Sequence, residues 1–271
     1  MFTIAKYHDL LRQLGLDTID GVKNFKGKMV KRRSGKRDIQ QIILPGINGT
    51  EIVLYLKRNW QPHKKDGLHS LMTRGEVWSQ CRVEWENSLA LQRNSIAIAE
   101  PVACGDECSP LWEKFSFLVT EAARGEMTLH DFIQTCRDSR ERRRVLDALA
   151  LWVRRFHDAG FASPDLFSRH IFLERGEAPK FCLIDMARLN QKDHISPKLR
   201  ARDLAALNIS APMRFLDARE RLQFLKTYGG DNELQHAIVK RTAYLLARKK
   251  FRDFTKQDDK SGAESDPSSR P

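Results

Sequence analysis

Phe161-Ala162-Ser163-Pro164-Asp165-Leu166-Phe167-Ser168-Arg169-His170-Ile171-Phe172-Leu173, followed by Phe181-Cys182-Leu183-Ile184-Asp185, decides the reading of this chain. The run sets Asp165 on a loop, a second polar ligand candidate, His170, five residues later, and then a strand. A short turn and a second strand end on Asp185. Phosphoryl transfer from a nucleotide uses two carboxylates in this order. One faces a hydroxyl nucleophile, and the other holds Mg²⁺ against the nucleotide. Neither Asp says much alone; their order and the strands around them carry the signal.

The remaining parts of such a site are expected upstream. Glu51-Ile52-Val53-Leu54-Tyr55-Leu56-Lys57 predicts a strand, because β-branched, aliphatic and aromatic residues dominate it. Val53, Tyr55 and Lys57 share one face by the period of two. A lysine that closes a strand is by itself an ordinary solvated residue. Ahead of the paired carboxylates it becomes the candidate for the nucleotide phosphates. The next helix is expected from about Gly75 to Asn94, where Val77, Cys81, Glu84, Ser88 and Leu91 fall along one line beside Trp78 and Trp85. Glu86 belongs to a wetter face. A carboxylate facing a core needs a partner, so Glu84 is assigned to Lys57.

Ser116-Phe117-Leu118-Val119-Thr120-Glu121-Ala122 predicts a strand running into polar chain. In a two-lobed kinase this is the hinge, with adenine contacts from main-chain atoms of about Glu121 to Ala123. A helix is expected to begin over Leu129 to Ile133. Arg140 to His157 predicts an amphipathic helix with Val145, Leu146, Leu149, Trp152, Val153 and Phe156 on its apolar stripe. Gly160 ends it, and His157 reads as a structural helix-end histidine.

Phe25 to Leu44 predicts two strands about a turn at Ser34-Gly35-Lys36, without a G-x-G-x-x-G motif. Residues 23 to 37 hold eight basic side chains and no acidic one. A solvated hairpin face and an electrostatic funnel for nucleotide phosphates and an anionic acceptor both fit that run. The chain has 271 residues, 41% of them hydrophobic, and a net charge of +12. That is enough for two lobes, and it favours an acidic partner. No run approaches the ~18 apolar residues that span a bilayer, and Met1 to Lys6 lacks a signal-peptide layout. Five scattered cysteines argue against a secreted disulfide framework and for a reducing compartment. Cys104 and Cys108 have no second pair for a metal knuckle. From about residue 253 the composition predicts a disordered tail.

The segment Ser163 to Leu173 with Leu183-Ile184-Asp185 resembles the bacterial lipopolysaccharide core kinases, the heptose and Kdo kinases. So do Ser116 to Glu121, Val83-Glu84-Trp85-Glu86-Asn87, Arg202-Asp203-Leu204-Ala205-Ala206-Leu207 and Arg221 to Tyr228. The resemblance spans roughly Phe25 to Tyr228. It implies an α+β, two-lobed protein-kinase-like fold, with a small antiparallel-sheet N-lobe (residues 1–123) and a mainly helical C-lobe (124–252). It also implies ATP and Mg²⁺ as cofactors and a sugar of the lipid-linked inner core as acceptor, at the cytoplasmic face of the membrane. Carried over, Lys57 and Glu84 are the ion pair, Asp165 the catalytic base and Asp185 the metal ligand. His170, where most protein kinases have Asn, is a metal or phosphate ligand. Ser163-Pro164 stands where the family usually has His-Arg, and Met186-Ala187-Arg188 follows Asp185 in place of Phe-Gly.

Only sixteen residues separate Asp185 from Arg202, which leaves little room for a peptide-docking segment and suits a compact sugar acceptor. The expected partners are therefore the lipopolysaccharide core acceptor and an anionic membrane surface, met peripherally. A different small-molecule or protein kinase, or a nucleotide-binding pseudokinase scaffold, remain the alternatives. No nucleic-acid reading motif is present.

Overall fold

Alternation along one central strand organises the first part of the chain. In β4 (Glu51–Asn59), Leu54, Leu56 and Arg58 are buried on one face, while Val53, Tyr55 and Lys57 lie half-buried on the other. The structure, a computed structural model, describes residues 1–33, 35–45, 50–60, 70–72, 75–212 and 215–248. The tail from 253, and Ser34 of the expected turn, lie outside the described residues. The chain divides into two units, Met1–Ala123 and the part from Arg124 onward.

In the first unit β4 sits inside a six-stranded antiparallel sheet. Its other members are β1 (Phe2–Thr3), β2 (Lys28–Arg33), β3 (Arg37–Pro45), β5 (Pro101–Cys108) and β6 (Glu113–Glu121), in the order β1-β5-β6-β4-β3-β2. Two short helices precede the hairpin, α1 (His8–Gln13) and α2 (Ile19–Asn24). The sequence reading placed nothing there. They belong to the core of the Leu54 face, where Leu11, Leu16 and Val22 cluster with Leu54, Leu56, Val102 and Phe117. Each such side chain contributes about 1.5–3 kcal/mol by leaving water.

The opposite face carries α3 (Gln80–Arg93), whose Cys81 and Trp85 pack on Cys104 and Leu118. This helix starts later than Gly75 because Ser79 caps it, its side chain accepting the Arg82 amide at 3.0 Å. The residues before Ser79 follow a glycine at φ +77°.

The second unit is mainly helical. β7 (Met127–Thr128) leads into α4 (Leu129–Thr135), and Asp138 caps α5 (Ser139–Asp158) through the amides of Arg140 and Glu141. The apolar stripe of α5 is buried at Val145, Leu146, Leu149, Val153 and Phe156, and Trp152 packs on Phe181 at 5.6 Å. Gly160 then turns the chain at φ +86°, where an added Cβ would lie 2.3 Å from the Lys192 carbonyl.

Beyond it come β8 (Phe161–Ala162), β9 (Ile171–Glu174), β10 (Lys180–Leu183) and β11 (Asn190–Gln191). β9 pairs with both β10 and β7, and β11 pairs with β8 through Asn190 and Ala162. Three helices finish the described chain: α6 (Pro197–Ser210), α7 (Ala218–Tyr228) and α8 (Asn232–Ala247). Among the described residues no helix is long and apolar enough to cross a membrane, and all five cysteines are free.

Candidate active site

In the first unit the pleat of β4 presents Lys57 to α3. Of the two carboxylates in the middle of that helix, Glu84 is the one that meets it, with Nζ 2.5 Å from Oε2. The side chains are only 15% and 8% exposed, so the pair is largely withdrawn from water. Removing one partner of such a pair costs about 3–5 kcal/mol, because the other charge is left buried. Glu86, two positions on and off this line, is half-buried. Cys81 lies beside the pair, and burial pushes its thiol up to about 12, so it packs there as a neutral group.

At the end of β6 the amides of Glu121 and Ala122 donate inward, to the carbonyls of Glu100 and Val53, both at 2.8 Å. The Glu121 carboxylate accepts the Tyr7 hydroxyl. Ala123 enters none of the described backbone hydrogen bonds.

The second unit holds the carboxylates. Asp165 sits on the loop after β8, and its Oδ1 receives the Arg188 guanidinium at 3.1 Å. Its Oδ2 enters no described hydrogen bond. The carbonyl of the same residue lies 2.9 Å from His170 Nδ1. A carbonyl only accepts, so Nδ1 carries the proton, and the lone pair of the neutral ring is at Nε2.

The β9–β10 hairpin, with Leu183 opposite Ile171, continues through the Ile184 amide donating to the His170 carbonyl at 3.0 Å. That register sets Asp185 beside the His170 backbone. Asp185 is exposed and held at φ +57°, a left-handed conformation shared among described non-glycine residues only with Ser95. Backbone strain of this kind gathers at functional positions.

These donors fit a hard divalent cation that shares its shell with phosphate. Mg²⁺ takes one or two carboxylates and completes its octahedron with phosphate oxygens and water. An imidazole whose other nitrogen donates to a backbone carbonyl is oriented as metal-ligating histidines are. Among the described residues no group of three or more acidic, His or Cys side chains forms a self-sufficient metal cage.

The sequence reading missed what holds the loop in place. Asp203, fully buried inside α6, accepts the Ser163 amide at 2.5 Å and Arg202 Nε at 2.8 Å. His157 Nε2 lies 3.4 Å from the same carboxylate, and its Nδ1 lies 2.9 Å from the Tyr228 hydroxyl, which Arg200 contacts at 3.1 Å. Burial lowers the His157 pKa, more than Asp203 raises it. The neutral ring donates from Nε2 and accepts Tyr228 at Nδ1. The signal for Asp203 was present: one acid embedded in Leu204-Ala205-Ala206-Leu207, where an unpartnered carboxylate would not be tolerated. Arg188 gave no such signal, since nothing local ties it to Asp165.

Comparison with known proteins bears on the family and the fold. The sequence profile described as "Lipopolysaccharide kinase (Kdo/WaaP) family" matches residues 20–228. The chain is similar to the lipopolysaccharide core heptose(I) kinase WaaP of Pseudomonas aeruginosa, 27% identical over 223 residues, which cover 79% of this chain and 81% of the relative. It is also similar to the Escherichia coli protein of that name, 25% identical over 224 residues, covering 79% and 82%. Its fold matches a solved structure of WaaP in complex with acyl carrier protein, with a TM-score of 0.64 and 24% identity over 97% of this chain and 99% of that one.

Proposed function

The chain belongs to the lipopolysaccharide kinase (Kdo/WaaP) family, and from that premise we propose that it transfers the γ-phosphoryl group of ATP to a sugar hydroxyl of the lipopolysaccharide inner core. The acceptor is a heptose or Kdo, and the names of the two relatives favour heptose. The observation that carries this reading is the Asp165 carbonyl bound to His170 on a loop anchored by Asp203, with the hairpin that follows His170 ending on Asp185.

In this mechanism Asp165 orients the acceptor hydroxyl through its free Oδ2 and accepts the proton late in the transfer. Arg188 holds Oδ1, which fixes the direction of the other oxygen. Asp185 and His170 Nε2 would hold Mg²⁺, which offsets the charge between the β- and γ-phosphates when bound. Lys57, steadied by Glu84, binds α- and β-phosphate oxygens. The main chain at Ala123, two residues beyond Glu121, binds the adenine edge. The retained Lys57–Glu84 pair and the anchored loop favour a working enzyme over a pseudokinase scaffold, although Ser163-Pro164 replaces the usual His-Arg.

A lipid-linked acceptor places the reaction at the inner face of the inner membrane. The net charge of +12 supports peripheral attachment to an anionic surface. An acyl carrier protein, present in the solved structure of the fold neighbour, is the protein partner we propose. A cavity of about 330 Å³ in the second unit, lined by Leu129, Ile133, Leu146, Leu207, Leu225 and Ile238, has the apolar chemistry for an acyl chain.

The test is phosphotransfer in vitro. Purified chain, ATP and Mg²⁺ are incubated with core oligosaccharide lacking inner-core phosphate, and the product is read by mass spectrometry. Gain of one phosphate on heptose or Kdo is expected. Absence of transfer to both sugars, from a folded and ATP-binding protein, overturns the reading.

A further inference from the structure

The basic run from Lys23 to Arg37 takes no part in the chemistry above. It surrounds a cavity of about 360 Å³ beside α2 and the β2–β3 hairpin. The cavity lies on the sheet face opposite Lys57. Ile39 is paired with Lys57 on one face, and the next pair, Asp38 with Arg58, points to the other, as do Gln40 and Trp60. It is therefore separate from the candidate nucleotide contacts.

Its floor is hydrogen-bonded and already neutralised. Arg58, 4% exposed, pairs with Asp38 at 2.9 Å and donates to the carbonyls of Val22, Lys23 and Phe25 at the end of α2. Trp60 Nε1 donates to the second Asp38 oxygen at 2.6 Å. Asp38, the only acid among the described lining residues, is thus fully engaged. Lys23 is held by Glu107 at 2.7 Å, and Arg37 donates to Gln80. Lys26 and Arg32, both exposed on the rim, enter no described ion pair.

β2 is an edge strand, and basic residues on an edge ordinarily guard against strand addition. A guard needs no buried floor. Nor does it need Met29 and Val30, which stand 46% and 53% exposed among those cations. Met29 faces Gln40 across the ladder and Arg32 faces Asp38, so both lie on the cavity side. Cations with exposed apolar side chains between them are the pattern of a surface that meets headgroups and the acyl boundary together.

We propose that this cavity binds the phosphate of an anionic phospholipid headgroup, with Lys26 and Arg32 as its ligands and Met29 at the edge of the acyl layer. The first unit thereby docks on the membrane through the sheet face opposite Lys57. The proposal rests on the membrane location given above and not on the phosphotransfer chemistry.

The experiment uses the full chain and vesicles of phosphatidylcholine with and without phosphatidylglycerol. The double variant Lys26→Gln/Arg32→Gln is compared with Lys198→Gln/Lys240→Gln, which removes the same charge from the second unit. Wild type is expected to sediment with the phosphatidylglycerol vesicles only. The cavity variant should lose affinity about thirtyfold, at roughly fivefold per basic side chain near the surface, while the control changes less than about twofold. ATP affinity should be equal in all three.

Equal losses in the two variants would reduce the effect to net charge and overturn the site. A cavity variant that binds vesicles normally, yet loses the thermal stabilisation that inorganic phosphate gives wild type, would make the ligand free phosphate and overturn the headgroup assignment. Failure of wild type to bind any vesicle, with phosphotransfer intact, removes the membrane location and leaves the kinase reading standing.

Discussion

The backbone N–H of Ser163 donates to the carboxylate of Asp203 at 2.5 Å, across forty positions of sequence. This bond ties the loop that carries Asp165 to the middle of a buried helix. Asp203→Ala should therefore leave Arg202 and the Ser163 amide without their acceptor, and lower the unfolding free energy by about 3–5 kcal/mol. Asp203→Asn keeps one acceptor oxygen but turns the other into an NH2 donor facing a donor, so it should recover only part of that loss and still cost about 1–3 kcal/mol. Urea unfolding of both variants checks the order, and kcat should fall in both with the KM for ATP little changed. A stable, fully active Asp203→Ala would show that the loop is held by other contacts.

Acid should weaken the fold through two histidines. Burial lowers the pKa of His157, and also of His130, which lies near the Arg169 cation. Between their folded values and the unfolded ~6.5, the unfolded chain binds protons that the native one refuses. Stability from this source is complete above about pH 6.5 and falls as pH drops below it, at up to ~1.4 kcal/mol per pH unit for each proton. His157→Gln removes one of the two. Its unfolding free energy should fall less steeply with acidification than that of wild type, measured by denaturant titration from neutral to mildly acidic pH. Parallel slopes would place the protonation elsewhere.

Lys57 and Glu84 allow stability and binding to be separated. Lys57→Ala leaves a buried carboxylate and should cost about 3–5 kcal/mol. The double variant Lys57→Ala/Glu84→Ala should recover part of that loss and none of the nucleotide affinity. Recovery of ATP binding in the double variant would mean that Lys57 only neutralises Glu84.

Much of this was legible in sequence because it is local. The hairpin that ends on Asp185 is written in two short apolar runs, and helical spacing together with the need for a partner to Lys57 selects Glu84 over Glu86. Four features were not legible. α1 and α2 are six residues each, too short for a periodic pattern to emerge. The start of α3 is set by the Ser79 cap rather than by its apolar line. Asp203 stands out as an acid beside an apolar run, but its partner 40 positions away does not, and Arg188 acts across 23 positions; such contacts exist only once the chain has folded.

Asp165→Ala should lower kcat by about 10²–10⁴, the usual scale for a positioned base, with ATP affinity kept. Arg188→Ala should lower it less, since an exposed ion pair contributes only about 0–1 kcal/mol and the carboxylate remains. Single-turnover rates with saturating acceptor distinguish the two. A larger loss from Arg188→Ala than from Asp165→Ala would assign the chemistry to the cation.

The chain beyond Asp185 has little slack. β11 is laced to β8, and the Lys192 amide donates to the Gly160 carbonyl at 2.9 Å. The stretch that signalling kinases release and re-clamp is here stitched to the turn that feeds the catalytic loop. A phosphate-operated on–off latch has no loose strap to grip. Phosphatase treatment of the purified protein should therefore leave its rate unchanged.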